Sequence, residues 1–79
     1  MGNIENFDGI KIYINGREHL PPHFHCYYAE FHALIEISNL NIIAGKMPKR
    51  QLNKIINWAK DKQTELKDIF VELNPKFKI

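Results

Sequence analysis

The sequence predicts an α+β fold: an antiparallel β-meander of about four strands packed on one face by a C-terminal helical segment. Three observations carry that expectation. Apolar residues alternate early in the chain, with Ile10, Ile12 and Ile14 around Lys11 and Tyr13, the period of a strand with one buried face. Turn residues at Asn15-Gly16, Ala29-Glu30 and Gly45 divide this half into short segments. After Pro48 the apolar period becomes helical, with Leu52, Ile55, Ile56, Ala59, Leu66, Ile69, Phe70 and Leu73 forming a stripe. With 79 residues and 44% apolar content, the chain reads as a single domain over 1–79, with strands roughly at 9–45 and helix roughly at 48–74.

Each element has a local reason. The first strand, around residues 10–14, ends at Asn15-Gly16. Residues 23–28 and 31–37 form the next two, with Ala29-Glu30 as a two-residue loop between them. That loop places Tyr28 opposite Phe31, Cys26 opposite Ala33 and Phe24 opposite Ile35. Directly opposed residues share a face, so Phe24, Cys26, Tyr28, Phe31, Ala33 and Ile35 make one wholly apolar side. The other side carries His23, His25, Tyr27, His32, Leu34 and Glu36, with His23 across from Glu36 and Tyr27 across from His32. A slip of one residue would mix the two sets and abolish the core face. A short fourth strand at roughly 40–44 ends at Gly45. Pro48 suits the first helical turn, and Asn74-Pro75 ends the helix. The stripe fits one long helix or two with a kink near Lys62–Thr64.

Composition removes several function classes. The single cysteine, Cys26, excludes an intramolecular disulfide and a cysteine-based zinc knuckle, and is expected to be an inert core hydrophobe. The apolar runs are far shorter than the ~20 residues of a membrane helix, and no signal-like region opens the chain. A cytoplasmic protein without membrane contact is expected. The net charge of +2 does not by itself argue for nucleic acid. Its distribution is more informative: Lys46, Lys49, Arg50, Lys54, Lys60 and Lys62 lie together against Asp61 alone.

The segment Arg17-Glu18-His19-Leu20-Pro21-Pro22-His23-Phe24-His25 concentrates three of the four histidines behind a proline pair. Histidine titrates near neutrality and is the commonest metal ligand. His23 and His25, two apart on a strand, point to one face. They are candidate catalytic residues as acid and base, with Arg50 steadying phosphate charge. They are also the minimum ligand pair for a divalent transition metal, with Glu36 as a carboxylate, or His32 or His19 as a third imidazole. Two histidines alone are a weak metal signal, so the expectation is no cofactor and a polar sheet face. Tyr27 could stack a base on that face, and Trp58 reads as helix packing.

Lys46, Lys49 and Arg50 surround the helix start, where cations oppose the positive end of the macrodipole. Free backbone N–H groups, the dipole and the cations together suit an anion or phosphate. The binding candidates are therefore His19, Tyr27, His32, Glu36, Lys46, Lys49 and Arg50.

With these residues in view, the chain resembles the bacterial family known as domain of unknown function 4160. The resemblance rests on Glu18-His19-Leu20-Pro21-Pro22-His23-Phe24-His25, Tyr28-Ala29-Glu30, Gly45-Lys46-Met47-Pro48-Lys49-Arg50, Asn57-Trp58-Ala59 and Glu65-Leu66, and covers about residues 8–73. Ala29 stands where the family has glycine, Leu20 where it has proline, and Phe70 where a tryptophan is common. The resemblance implies a small protein of a toxin–antitoxin-like pair, partnered by a cognate small protein from a neighbouring gene. Contact with RNA or that partner, through the histidine face and the basic helix start, is the expected function. A small ribonuclease-like hydrolase and a metal-binding module are the alternatives, and a homodimer is a candidate assembly.

Overall fold

The computed structural model describes residues 2–77. Five strands, β1 (Gly2–Phe7), β2 (Ile10–Ile14), β3 (His23–Tyr28), β4 (Phe31–Glu36) and β5 (Ile42–Lys46), precede two helices, α1 (Lys49–Ala59) and α2 (Gln63–Leu73). A 3₁₀ turn at Pro75–Phe77 follows. The strands form one antiparallel sheet in chain order, β1-β2-β3-β4-β5. The α+β meander expected from sequence is therefore present, with one strand more.

The extra strand is β1. It joins β2 through Asp8 and Gly9, both at positive φ (50° and 78°), the backbone that a two-residue Asp-Gly hairpin turn requires. A bulge between Asn3 and Glu5 interrupts the pairing. The Asn3 side chain spans it, its Nδ2 donating to the Ile12 carbonyl at 3.1 Å and to Asn6 Oδ1 at 3.0 Å.

The β3–β4 pairing has the register expected from the alternation, from His23↔Glu36 to Tyr28↔Phe31. Ala29 turns the chain at φ 51°, so this position keeps the left-handed backbone without glycine. β5 runs from Ile42 to Lys46 rather than from 40 to 44. Gly45 lies inside it at φ 83°, where a Cβ would sit 2.1 Å from the His32 carbonyl oxygen. Lys46 is thus a strand residue facing His32, not part of the helix start.

One face of the central strands β2, β3 and β4 is largely buried. Ile10, Ile12, Ile14, Phe24, Cys26, Ala33 and Ile35 are 0% exposed and meet Ile55 and Ala59 of α1 and Leu66 and Phe70 of α2. Burying each such large aliphatic or aromatic side chain contributes about 1.5–3 kcal/mol. Trp58 packs as expected, 5.8 Å from Phe7 and 6.1 Å from Phe24 between ring centroids. The helical region is two helices: α1 stops at Ala59, whose carbonyl accepts from the Lys62 N–H at 2.8 Å. Gln63, at the head of α2, donates from Nε2 to the Ile37 and Ser38 carbonyls at 2.7 and 3.0 Å. Among the described residues, no helix is long and apolar enough to cross a membrane.

Both helices lie on the apolar side. The opposite face of β2, β3 and β4 is left open and carries Lys11, Tyr13, His25, Tyr27, His32 and Leu34.

Candidate functional site

The site is built where the loop between β2 and β3 folds back over the start of β3. Asn15-Gly16 does not make a tight hairpin; the chain takes the longer path through Pro22, with Arg17 at φ 59° and a cis Leu20–Pro21 peptide. This path lays the Glu18 carboxylate against β3. Glu18 Oε2 lies 2.5 Å from His25 Nε2, and Oε1 lies 3.4 Å from His23 Nε2. The shorter contact is a hydrogen bond between imidazole and carboxylate.

Each imidazole has a second partner on its other nitrogen. His23 Nδ1 donates to the Pro21 carbonyl at 2.8 Å; a carbonyl only accepts, so this nitrogen carries the proton. His25 Nδ1 pairs with His32 Nε2 at 3.0 Å. His23 Nε2 is buried and has no hydrogen-bond partner.

Electrostatics follow the geometry. Burial of Glu18 pushes its carboxyl pKa upward. The hydrogen bond to His25 and the charges of His25 and His23 outweigh that effect and hold it below the ordinary carboxylate value. Burial, with the His25 charge adding to it, holds His32 below the ordinary imidazole value, favouring a neutral ring.

Beside the cluster runs a column of flat side chains on the open face. Tyr27 and His32 stack at 4.3 Å with 6° between planes, and His32 stacks on His25 at 5.3 Å and 15°. Tyr13 meets Tyr27 edge-on at 5.4 Å. A shallow cavity of about 400 Å³, lined by Lys11, Tyr13, Asn15 and Tyr27, continues the column. Lys11 lies across from Tyr27 and Lys46 across from His32, so cations flank the column on both sides.

The expected residues divide accordingly. His23, His25, Tyr27, His32 and Lys46 come together. His23 is not part of an exposed polar surface: it is 4% exposed, with the Phe70 ring 5.6 Å away. Glu36 lies opposite His23 as expected, but its carboxylate accepts from Ser38 Oγ at 2.8 Å, and Glu18 takes the role of carboxylate beside His23. His19 is exposed in the loop outside the cluster, and Lys49 and Arg50 are exposed in the first turn of α1. That turn has no acidic residue and no side-chain cap. Sequence reasoning missed Glu18 as a site residue; its place five residues before His23, behind two prolines, was the available signal. It also missed Asn74, whose Oδ1 accepts from the Glu18 N–H at 2.8 Å.

A family model described as "Domain of unknown function (DUF4160)" matches residues 9–70. No match was found among curated proteins or among solved structures.

Proposed function

Because this chain belongs to the family described as a domain of unknown function (DUF4160), its activity must be read from the site, and we propose that it binds single-stranded RNA as one component of a toxin–antitoxin-like pair. The observation that carries this reading is the parallel Tyr27–His32 stack, 4.3 Å between centroids, on the sheet face that the helices leave open. Flat rings presented on an open sheet are platforms for unpaired bases, each stacked base contributing about 1–3 kcal/mol. Lys11 and Lys46 flank that platform on the same face, supplying phosphate contacts.

A ribonuclease-like mechanism with His23 and His25 as acid and base is less supported. His23 is 4% exposed and its Nδ1 is engaged by Pro21, so a phosphodiester has poor access to it.

Fluorescence anisotropy with a labelled, mixed-sequence single-stranded RNA at low salt tests the proposal. Tyr27→Ala should weaken binding about tenfold or more. Removing Lys11 and Lys46 together should flatten the salt dependence by about 0.7 units of slope per lost phosphate contact. If the wild-type protein has no affinity for RNA at low salt, the reading fails, and a partner protein becomes the better assignment for this face.

A further inference from the structure

Glu18, His23 and His25 each direct a donor atom at one small volume, all within 4.8 Å of one another. Two of these atoms are imidazole Nε2 nitrogens and the third is a carboxylate oxygen. Such a group can be only an internal hydrogen-bonded cluster, and one atom argues otherwise. His23 Nε2 belongs to a side chain 5% exposed, is aimed at Glu18 Oε1, and makes no hydrogen bond there. Nδ1 already donates to Pro21, so Nε2, 3.4 Å from Glu18 Oε1, is the ring nitrogen left without a hydrogen bond. A buried polar atom left without a partner is costly. A cation between the two groups satisfies both.

We propose that Glu18, His23 and His25 form a binding site for a divalent transition-metal ion, and that zinc is the ion the donor set fits best. Two imidazoles and one carboxylate are a known catalytic-type zinc ligand set, in which a further position is left for water or an exogenous ligand. Imidazole nitrogen disfavours magnesium and calcium, which take oxygen ligands. Cys26 contributes nothing, because it is buried on the opposite face.

The outer partners match those of metal-binding histidines, which donate their other ring N–H to a carbonyl, carboxylate or similar acceptor. For His23 that acceptor is the Pro21 carbonyl; an ion on His25 Nε2 would leave its Nδ1–H to donate to His32 Nε2, 3.0 Å away. An ion on His25 Nε2 takes the place of its hydrogen bond to Glu18, and any proton on a ligating nitrogen is released on binding. The ligands are also held in place. His23 and His25 are fixed by β3, and the Glu18 backbone is held by Asn74 at the end of α2.

Calorimetric titration of the untagged, chelator-treated full chain with Zn²⁺ tests the site, with Mg²⁺ as the control. The expected result is one equivalent of Zn²⁺ bound with sub-micromolar affinity and no Mg²⁺ binding. His23→Gln and Glu18→Gln should each weaken Zn²⁺ by about a hundredfold, and His32→Ala, which removes an outer partner, by about tenfold. Should these variants fail to fold, Co²⁺ added to the wild-type protein still decides the matter: a visible absorption band of a four- or five-coordinate protein site is expected. Zn²⁺ affinity no tighter than millimolar, tight binding unchanged in folded His23→Gln, or a Co²⁺ spectrum identical to that of the aqueous ion would each overturn the proposal.

Discussion

Asn74 Oδ1 accepts a 2.8 Å hydrogen bond from the backbone N–H of Glu18, so the residue that closes the last helix also holds the loop presenting the site's carboxylate. Its Nδ2 donates to the Asn15 and Phe70 carbonyls, each at 2.9 Å. Asn74 is 2% exposed and both ends of its amide are satisfied.

Replacing Asn74 with leucine removes the partners of the Glu18 N–H and the Asn15 carbonyl, while the Phe70 carbonyl keeps the backbone N–H of residue 74. We predict a loss of about 2–3 kcal/mol, at the upper end for unsatisfied buried groups, measured by urea unfolding. A loss no larger than that of an exposed-site control such as Asn53→Leu would show that water replaces these bonds without cost.

The two faces of β3 should respond differently to truncation. Phe24 is 0% exposed on the covered face, so Phe24→Ala should cost about 3–5 kcal/mol, and Ile35→Ala about 2–5 kcal/mol. His25→Ala, which removes two hydrogen bonds but leaves no cavity in the apolar core, should cost less. Equal losses would mean that the imidazole column, not the apolar face, holds the sheet together.

Backbone conformation gives a paired prediction of opposite sign. Ala29 at φ 51° occupies a region that costs an L-residue about 1–2 kcal/mol, so Ala29→Gly should raise stability by up to about 1 kcal/mol. Gly45→Ala should lower it by clearly more, because the new Cβ collides with the His32 carbonyl oxygen at 2.1 Å and must force β4 and β5 apart. Thermal unfolding of the two variants beside wild type reads both signs. A destabilising Ala29→Gly would place that turn outside the left-handed region.

Cys26 should be unreactive while the protein is folded. Its thiol is buried and contacts the Ala33 carbonyl at 3.5 Å, and burial pushes its pKa up to about 11. Thiolate is the reactive form, so a thiol reagent at pH 8 should label native protein only as fast as it unfolds, and urea-denatured protein at once. Rapid native labelling would mean that the β3–β4 core opens without global unfolding.

What the sequence could disclose depended on how local the determining contact is. The β3–β4 register follows from side-chain parity across one short loop, and the pairing from His23↔Glu36 to Tyr28↔Phe31 matches it. The helical stripe is equally local, and Asn74 ends α2 as expected. β1 was harder to see because its Gly2–Phe7 residues are largely polar and pair only with β2, although Asp8-Gly9 was a hairpin signal. The site was legible as a histidine pair but not as a triad. Glu18 reaches β3 through a loop whose path no periodicity describes, and it is held by Asn74, far away in sequence. The burial of His23 arises the same way, from Phe70 and the returning loop.

The strand order follows the chain from β1 to β5 without a crossover, and this orders the events of assembly. Each pairing closes only a short loop, so its entropic cost is small and the sheet can zip from neighbour to neighbour. Glu18, His23, His25 and His32 all lie within this quickly closed region. Asn74 reaches Glu18 across most of the chain and can do so only after α2 has docked. The backbone beneath the carboxylate is therefore tied to α2, and any opening that undocks α2 frees that backbone while the imidazoles stay in register on the sheet.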